Sequence, residues 1–295
     1  MVGSGRYTLL VNPSAGAGRA RDARAAVERE MAAAGLEHRT VLTESLEHGI
    51  SEARAAVEAG EIPVVMSGDG LIGQVGGALA NSGSPMGIIP GGRGNDLARV
   101  LGIPTDPAGA VAVIKAGHTR EIDVGVANGK RFLGIASCGF DSDANRIANE
   151  ARLVRGGLVY AYAALRALAF WKPATFTLEL DGERRIVTGY TVAAANNKAY
   201  GGGMYAAPNA ELDDGLLDVG ALGNVSKLRF LRGLPKVFKG EHLEALDVTV
   251  WRAREVRIEA DRPFALYADG DPIAELPATV SLLPRALKLI VPASA

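Results

Sequence analysis

Cysteine is almost absent: Cys138 is the one thiol in 295 residues, which excludes an intramolecular disulfide and suits a reducing compartment. A lone cysteine of this kind reads as a buried structural thiol rather than a nucleophile. Histidine is scarce too, and His38, His48, His118 and His242 are scattered without metal-ligand spacing, so they read as surface or packing residues. No uncharged apolar run reaches the roughly 18 residues that a membrane span needs. The richest stretch, Leu158 to Trp171, is shorter and carries Arg166. Met1 to Arg6 is small and polar, and no secretory signal is read there. A formal net charge of −1 lacks the basic excess of a general nucleic-acid binder. Three common phosphate and nucleophile signatures are missing as well. Gly16-x-Gly18 is followed by Arg21 rather than a third glycine, and neither a P-loop nor a Gly-x-Ser-x-Gly elbow occurs.

What is present falls into two halves. From Tyr7 to Leu101, short apolar runs alternate with helical patterns. Strands are expected at Tyr7–Val11, His38–Leu42, Ile62–Met66 and Met86–Pro90. Helices are expected from Arg19, from about His48 after a possible cap at Thr43, from Leu71 and from Asp96. Such alternation argues for a mostly parallel sheet covered on both faces. After about Ile122 the pattern becomes apolar alternation, with runs such as Phe132–Ser137, Thr175–Leu180, Arg185–Asn196 and Leu216–Leu222. The pairs Asn128-Gly129 and Asp181-Gly182 signal hairpins. This half is expected to be an antiparallel sandwich interrupted by helices near Ser142–Trp171 and Ser226–Phe238. Residues 1–122 and 123–285 are the expected domains, with 286–293 a candidate strand returning to the first. A cleft is expected between them.

Three of the first half's strands end in Gly/Asn/Asp clusters: Asn12–Gly18, Ser67–Gly70 and Gly91–Asp96. In open α/β sheets ligands lie beyond the carboxyl ends of strands, and glycine-rich loops opening a helix offer backbone N–H groups to polyanions. Asp69 therefore either meets a phosphate or its metal, or merely caps the helix that follows.

Asn12-Pro13-Ser14-Ala15-Gly16, Ser67-Gly68-Asp69-Gly70, Ile89-Pro90-Gly91-Gly92-Arg93-Gly94-Asn95-Asp96, Gly139-Phe140-Asp141 and Tyr200-Gly201-Gly202-Gly203-Met204 occur in that order. Pro208–Asp218 and Asp269-Gly270-Asp271 follow. This series, spanning nearly the whole chain, resembles the diacylglycerol kinase and sphingosine kinase superfamily, and in length and layout the soluble bacterial lipid kinases. The resemblance implies an α/β nucleotide domain of NAD-kinase-like form, a β-sandwich lipid-substrate domain, and ATP and Mg²⁺ in the cleft. It implies that Asn12, Pro13, Ser14, Ala15 and Gly16 line the nucleotide, that Thr43 lies near its base or ribose, and that Gly68, Asp69, Gly70, Leu71 and Gln74 cradle phosphates. Arg93, Asn95 and Asp96 complete that set. Asp269 falls at the general-base position. Glu211, Asp214 and Leu216 match a structural magnesium site, and Asp69 and Asp271 are further metal candidates. Asp269 before Gly270 and Asp214 before Gly215 also read as plain turn residues, and Asp96 as a helix cap.

Some positions depart from the family pattern. Leu71 replaces the usual Thr, Gln74 the usual Glu, Arg93 a Thr or Ser, and Asp271 a Glu. Arg93 either clamps a phosphate or blocks the nucleotide. The implied reaction is phosphorylation of diacylglycerol to phosphatidic acid by a cytoplasmic enzyme acting peripherally at the inner membrane face. Sphingoid-base or ceramide phosphorylation, NAD kinase activity, and non-catalytic lipid or nucleotide binding are the alternatives. Ser226–Lys239 mixes five cations with six large apolar residues and reads either as an interfacial segment or as an ordinary amphipathic helix. An exposed sheet edge would support a homodimer.

Overall fold

The structure, a computed structural model, describes residues 5–150 and 166–293. Apolar runs that are buried along their length form the first sheet: β1 (Tyr7–Val11), β3 (Ile62–Ser67) and β4 (Pro85–Pro90), with the half-exposed β2 (His38–Leu42) at the edge. All four run parallel in the order β4-β3-β1-β2, with Leu9 opposite Val64 on one side and Thr40 on the other. Helices α1 (Arg19–Ala33), α2 (Leu46–Glu58), α3 (Asp69–Leu79) and α5 (Pro107–Ala116) cover it, and α4 (Asp96–Val100) is a single short turn after β4. The core between them includes Leu10, Met31, Ile72, Ile88 and Ile114, all at or near zero exposure. Full burial of each such side chain contributes about 1.5–3 kcal/mol.

Two local features differ from the sequence reading. Ser45, not Thr43, caps α2, its hydroxyl accepting the His48 N–H at 3.1 Å. Thr43 is instead buried, with its own N–H on the Val11 carbonyl. Helix α5 was unforeseen, although Asp106 caps it through the Gly109 N–H at 2.8 Å and Pro107 occupies its first turn.

The second half is antiparallel. β7 (Ile135–Gly139), β8 (Ala174–Leu180), β9 (Glu183–Ala195), β12 (Glu255–Ala260), β13 (Ala265–Ala268) and β14 (Asp271–Glu275) lie in the order β14-β13-β7-β9-β8-β12, and β10 (Leu217–Gly223) pairs with β9 and β11 (Val248–Ala253). Their inward residues, Phe176, Leu178, Val192, Val219 and Ile258 among them, make a second core. The helix expected near Ser142 begins at Phe140 as α6 (Phe140–Glu150); residues 166–170 at the far end of that expectation are helical too, and 151–165 lie outside the described residues.

β15 (Ala278–Ile290) joins the two bodies. Its first residues pair with β12, and its last pair in parallel with β4 through Lys288 and Leu289. Along its other edge it pairs with β5 (Thr119–Ala127) over Val280–Leu283 and again over Leu287–Ile290, the register shifting between Leu283 and Leu287. β5 runs straight through residue 122, so both bodies share one continuous strand pair there.

The strand expected over Phe132–Ser137 is broken. β6 (Lys130–Phe132) ends, Leu133 and Gly134 are unpaired, and β7 begins at Ile135. The two freed N–H groups both go to Asp269.

Candidate active site

Three loops meet beyond the carboxyl ends of β1, β3 and β4, and glycine is what allows them to touch. A methyl group on Gly16 would come within 2.5 Å of the Gly91 carbonyl oxygen, and one on Gly92 would collide with the Gly68 backbone. Asn95 fixes the third loop: it adopts a left-handed conformation (φ 51°), its Oδ1 accepts the Gly92 N–H at 2.8 Å, and its amide donates to the Gly92 carbonyl. In the first loop Asn12 Oδ1 accepts from the Ser14 N–H and hydroxyl. The result is a glycine-lined concavity at the N-terminus of α3.

Asp69 does cap a helix, but not the one it opens. Its Oδ1 accepts the N–H of Asp96 at 2.6 Å, at the start of α4. Its Oδ2 lies beside Gly94, within 2.9 Å of where a methyl group there would be. Burial first, and the Asp96 carboxylate second, push the Asp69 carboxyl above the usual range. Asp96 is buried and links the two halves. Its two oxygens accept the N–H groups of Gly202 (2.8 Å) and Gly203 (2.6 Å) in the second half. Gly201, Gly202 and Gly203 all have positive φ, which presents consecutive N–H groups to one carboxylate.

Asp269 follows β13 at a left-handed position (φ 51°). Its Oδ2 accepts the Leu133 N–H and its Oδ1 the Gly134 N–H, each at 2.9 Å. On the other side it faces α3, where a methyl on Gly73 would come within 2.7 Å of Oδ2. Burial lifts its pKa to about 6; the Asp69 and Asp271 charges add to the rise and the two N–H groups oppose it. A carboxylate so poised stands against the helix whose N-terminus faces the glycine concavity.

The family described as "Diacylglycerol kinase catalytic domain" matches residues 6–127, and that described as "YegS C-terminal NAD kinase beta sandwich-like domain" matches 134–291. The chain is 39% identical to a diacylglycerol kinase of Mycobacterium tuberculosis (strain ATCC 25618 / H37Rv), covering 98% of this chain and 96% of that protein. The chain belongs to the bacterial diacylglycerol kinase and YegS lipid kinase family. A diacylglycerol kinase of Bacillus subtilis (strain 168) is 27% identical over 97% of this chain and 96% of its own length. The crystal structure of a diacylglycerol kinase from Bacillus anthracis str. Sterne superposes with a TM-score of 0.80 at 24% identity, covering 98% of each chain, and shares the two-body architecture.

In this lipid kinase the expected nucleotide residues separate by environment. Asn12, Pro13, Ala15, Gly16, Gly68, Asp69, Gly70 and Asn95 border the concavity, half-exposed, with Ser14 exposed at its rim. Gln74 is half-exposed one turn along α3, whereas the Leu71 side chain is buried and packs against Gly49 and near Thr43. Leu71 thus joins α3 to α2, and its side chain is turned away from the loops. Arg93 is exposed at the tip of the third loop and makes no hydrogen bond or ion pair among the described residues.

The turn expected to bind a structural magnesium ion is held by side chains. Asp214 Oδ1 accepts the Leu216 N–H at 2.9 Å, and Oδ2 is bonded to the Arg252 guanidinium, which also reaches Asp218. Asp213 forms a two-pronged pair with Arg120. Glu211 is exposed, and the Leu216 N–H is the group that meets Asp214. The Arg252 guanidinium thus occupies one side of the Asp214 carboxylate. Among the described residues no three acidic, thiol or imidazole side chains converge as a metal cage.

The sequence reading missed Asp123 as a residue of consequence. Fully buried on β5, it accepts the Gly215 and Arg285 N–H groups, each at 2.7 Å, and so ties that turn to the register shift of β15. A charge inside the apolar run Ile122-Asp123-Val124 was the available signal.

Proposed function

We propose that this lipid kinase transfers the γ-phosphoryl group of ATP to the hydroxyl of diacylglycerol, giving phosphatidic acid, with Asp269 as the general base in the cleft. The observation that carries the reading is the setting of Asp269. It is a carboxylate raised to about 6 and fixed by two N–H groups, and it faces the helix whose N-terminus opens onto the glycine concavity. At neutral pH it is ionised yet holds a proton more readily than an exposed carboxylate, which suits removal of an alcohol proton as the oxygen attacks phosphorus. The backbone N–H groups of the loops from Asn12 and Gly68, with the α3 N-terminus, would bind the phosphate oxygens. Arg93 adds a cation without a partner among the described residues.

The donor set fits Mg²⁺ at Asp69: hard oxygens, no thiol or imidazole, and a pair of carboxyl groups with Asp69 raised by burial and by the charge of Asp96. Asp69 is the residue that would hold the ion, with the Asp96 carboxylate nearby and phosphate oxygens and water completing its shell. The ion would neutralise charge on the β- and γ-phosphates. Asp271 is exposed beside Asp269 and contributes negative charge there.

The test is transfer of labelled phosphate from ATP to a panel of alcohols: diacylglycerol, a sphingoid base, ceramide and NAD. Preferential labelling of diacylglycerol supports the assignment. Labelling of another member alone would reassign the substrate, and ATP binding with no transfer to any would leave a binding protein.

A further inference from the structure

The helix Lys227–Val237 carries two apolar stripes, and the fold uses only one. Phe230, Gly233, Leu234 and Val237 face inward, Phe230 stacking on Tyr190 with ring centroids 4.8 Å apart. On the outside, Leu228, Leu231, Pro235 and Phe238 recur at spacings of three, four and three residues, so they share one face. Leu228 is 57% exposed and Phe238 55%. Phe170, 81% exposed, extends the patch: the Lys227 ammonium donates to the carbonyl of its neighbour Ala169 at 2.8 Å.

Cations border this face. Arg229, Arg232, Lys236 and Lys239 follow at intervals of three, four and three residues, displaced by one from the apolar stripe, and Ser226–Lys239 contains no acidic residue. Arg229 is used locally, its Nε donating to the Ala245 carbonyl at 2.9 Å. Arg232, Lys236 and Lys239 make no ion pair among the described residues. Glu241 and Glu244, the acids next in sequence, belong to the following short helix. An exposed apolar stripe flanked by unpaired cations is complementary to a surface with an apolar interior and negative headgroups.

The patch also has a fixed relation to the cleft. The Val237 carbonyl at the helix end accepts the Tyr205 N–H at 2.9 Å, and Tyr205 directly follows the Gly201–Met204 turn that binds Asp96. Eleven helical residues at about 1.5 Å each therefore lead from the Lys227 end of the patch to the Tyr205 contact in about 16 Å.

We propose that the outward face of Lys227–Val237, with Phe170 and Phe238, is the surface by which this kinase docks on an anionic lipid bilayer, setting the Gly201–Gly203 side of the cleft towards the membrane. The inference rests on the lipid-substrate reading for its purpose, but its test does not depend on turnover. Full-length protein is floated with phosphatidylcholine vesicles, with and without phosphatidylglycerol. Three proteins are compared: wild type, Leu228→Ser/Leu231→Ser/Phe238→Ser, and Arg232→Glu/Lys236→Glu/Lys239→Glu. Wild type should float with the anionic vesicles only, and each triple variant should lose about tenfold or more in partition. The charge variant alters only exposed side chains, so it keeps the question answerable should the serine variant fail to fold. Both variants should still phosphorylate a short-chain diacylglycerol dispersed in detergent. A failure there in wild type as well would count against the kinase assignment, not against docking. Equal flotation with neutral vesicles, or unchanged flotation of the charge variant, would overturn the proposal. So would conversion of a wild-type dimer to monomer by the serine substitutions with flotation unaltered, which would make the patch a self-association surface.

Discussion

Asp269→Asn separates the chemistry of the proposed base from its structural duty. Asn has the same size and tolerates the left-handed backbone at this position, φ 51°, so the turn should survive. The carboxyl is lifted from its ordinary 3.8 to about 6, mainly by burial. Two pH units at about 1.4 kcal/mol each put the cost of ionising it in the fold near 3 kcal/mol, reduced to roughly 2 by its partial access to water. Because the folded-state value is the higher one, the stability it contributes is complete below pH 3.8 and is lost as pH rises through about 6. The amide removes that cost but satisfies only one of the Leu133 and Gly134 N–H groups, a loss of about 1–3 kcal/mol. The two effects should nearly cancel at pH 7.5, while at pH 4.5 the variant should be the less stable. Urea denaturation at the two pH values should therefore show the variant gaining up to about 2 kcal/mol relative to wild type. Turnover should fall about 10²–10⁴-fold with the KM for ATP within about threefold, and the acid limb of kcat/KM near pH 6 should vanish. If the variant keeps a tenth of wild-type kcat, or keeps the acid limb, Asp269 is not the base.

Gly73→Ala should push the Asp269 carboxylate from its place, since the new methyl would sit 2.7 Å from Oδ2; we expect about a hundredfold loss of kcat with the thermal transition little changed, and undiminished turnover would contradict the proximity of α3 to the base. Asp96→Ala strands the Gly202 and Gly203 N–H groups and should cost about 2–4 kcal/mol in chemical denaturation; a loss below 0.5 kcal/mol, roughly the scatter of surface substitutions, would mean that the clamp across the cleft is not needed. Arg93→Thr should raise the KM for ATP about three- to tenfold at low salt and less at high salt; an unchanged value would show that the side chain points away from the nucleotide.

Fully buried strands were the most legible part of the sequence. β1, β3 and β4 are continuous apolar runs closed by Gly/Asn/Asp turns, and their ends carry the loops that form the concavity. Asp269, too, was reached through its motif, but its partners were not. Leu133 and Gly134 look like the middle of a strand, and only the carboxylate arriving from a distant turn explains why pairing stops there. For Asp69 the sequence offers a phosphate or metal role or the capping of its own helix, whereas the N–H it holds lies 27 residues on, at α4. β15 was half-seen because Pro284 and the left-handed Arg285 interrupt its pattern at the point where it changes neighbours. Long-range partners leave no local periodicity, so motif order found the residues and only the fold supplied their acceptors.

The exchange of partners along β15 bears on how the protein is made. The first sheet is complete only when Lys288 and Leu289 lie against Pro85 and Met86 of β4. Those residues leave the ribosome after the whole second body has been translated. Until then β4 presents an unpaired apolar edge, the kind of surface that invites association with other nascent chains. Closing it requires a contact about 200 residues apart in sequence, which slows assembly. Synthesis of the N-terminal half alone should therefore yield an aggregation-prone fragment rather than an independent nucleotide-binding module.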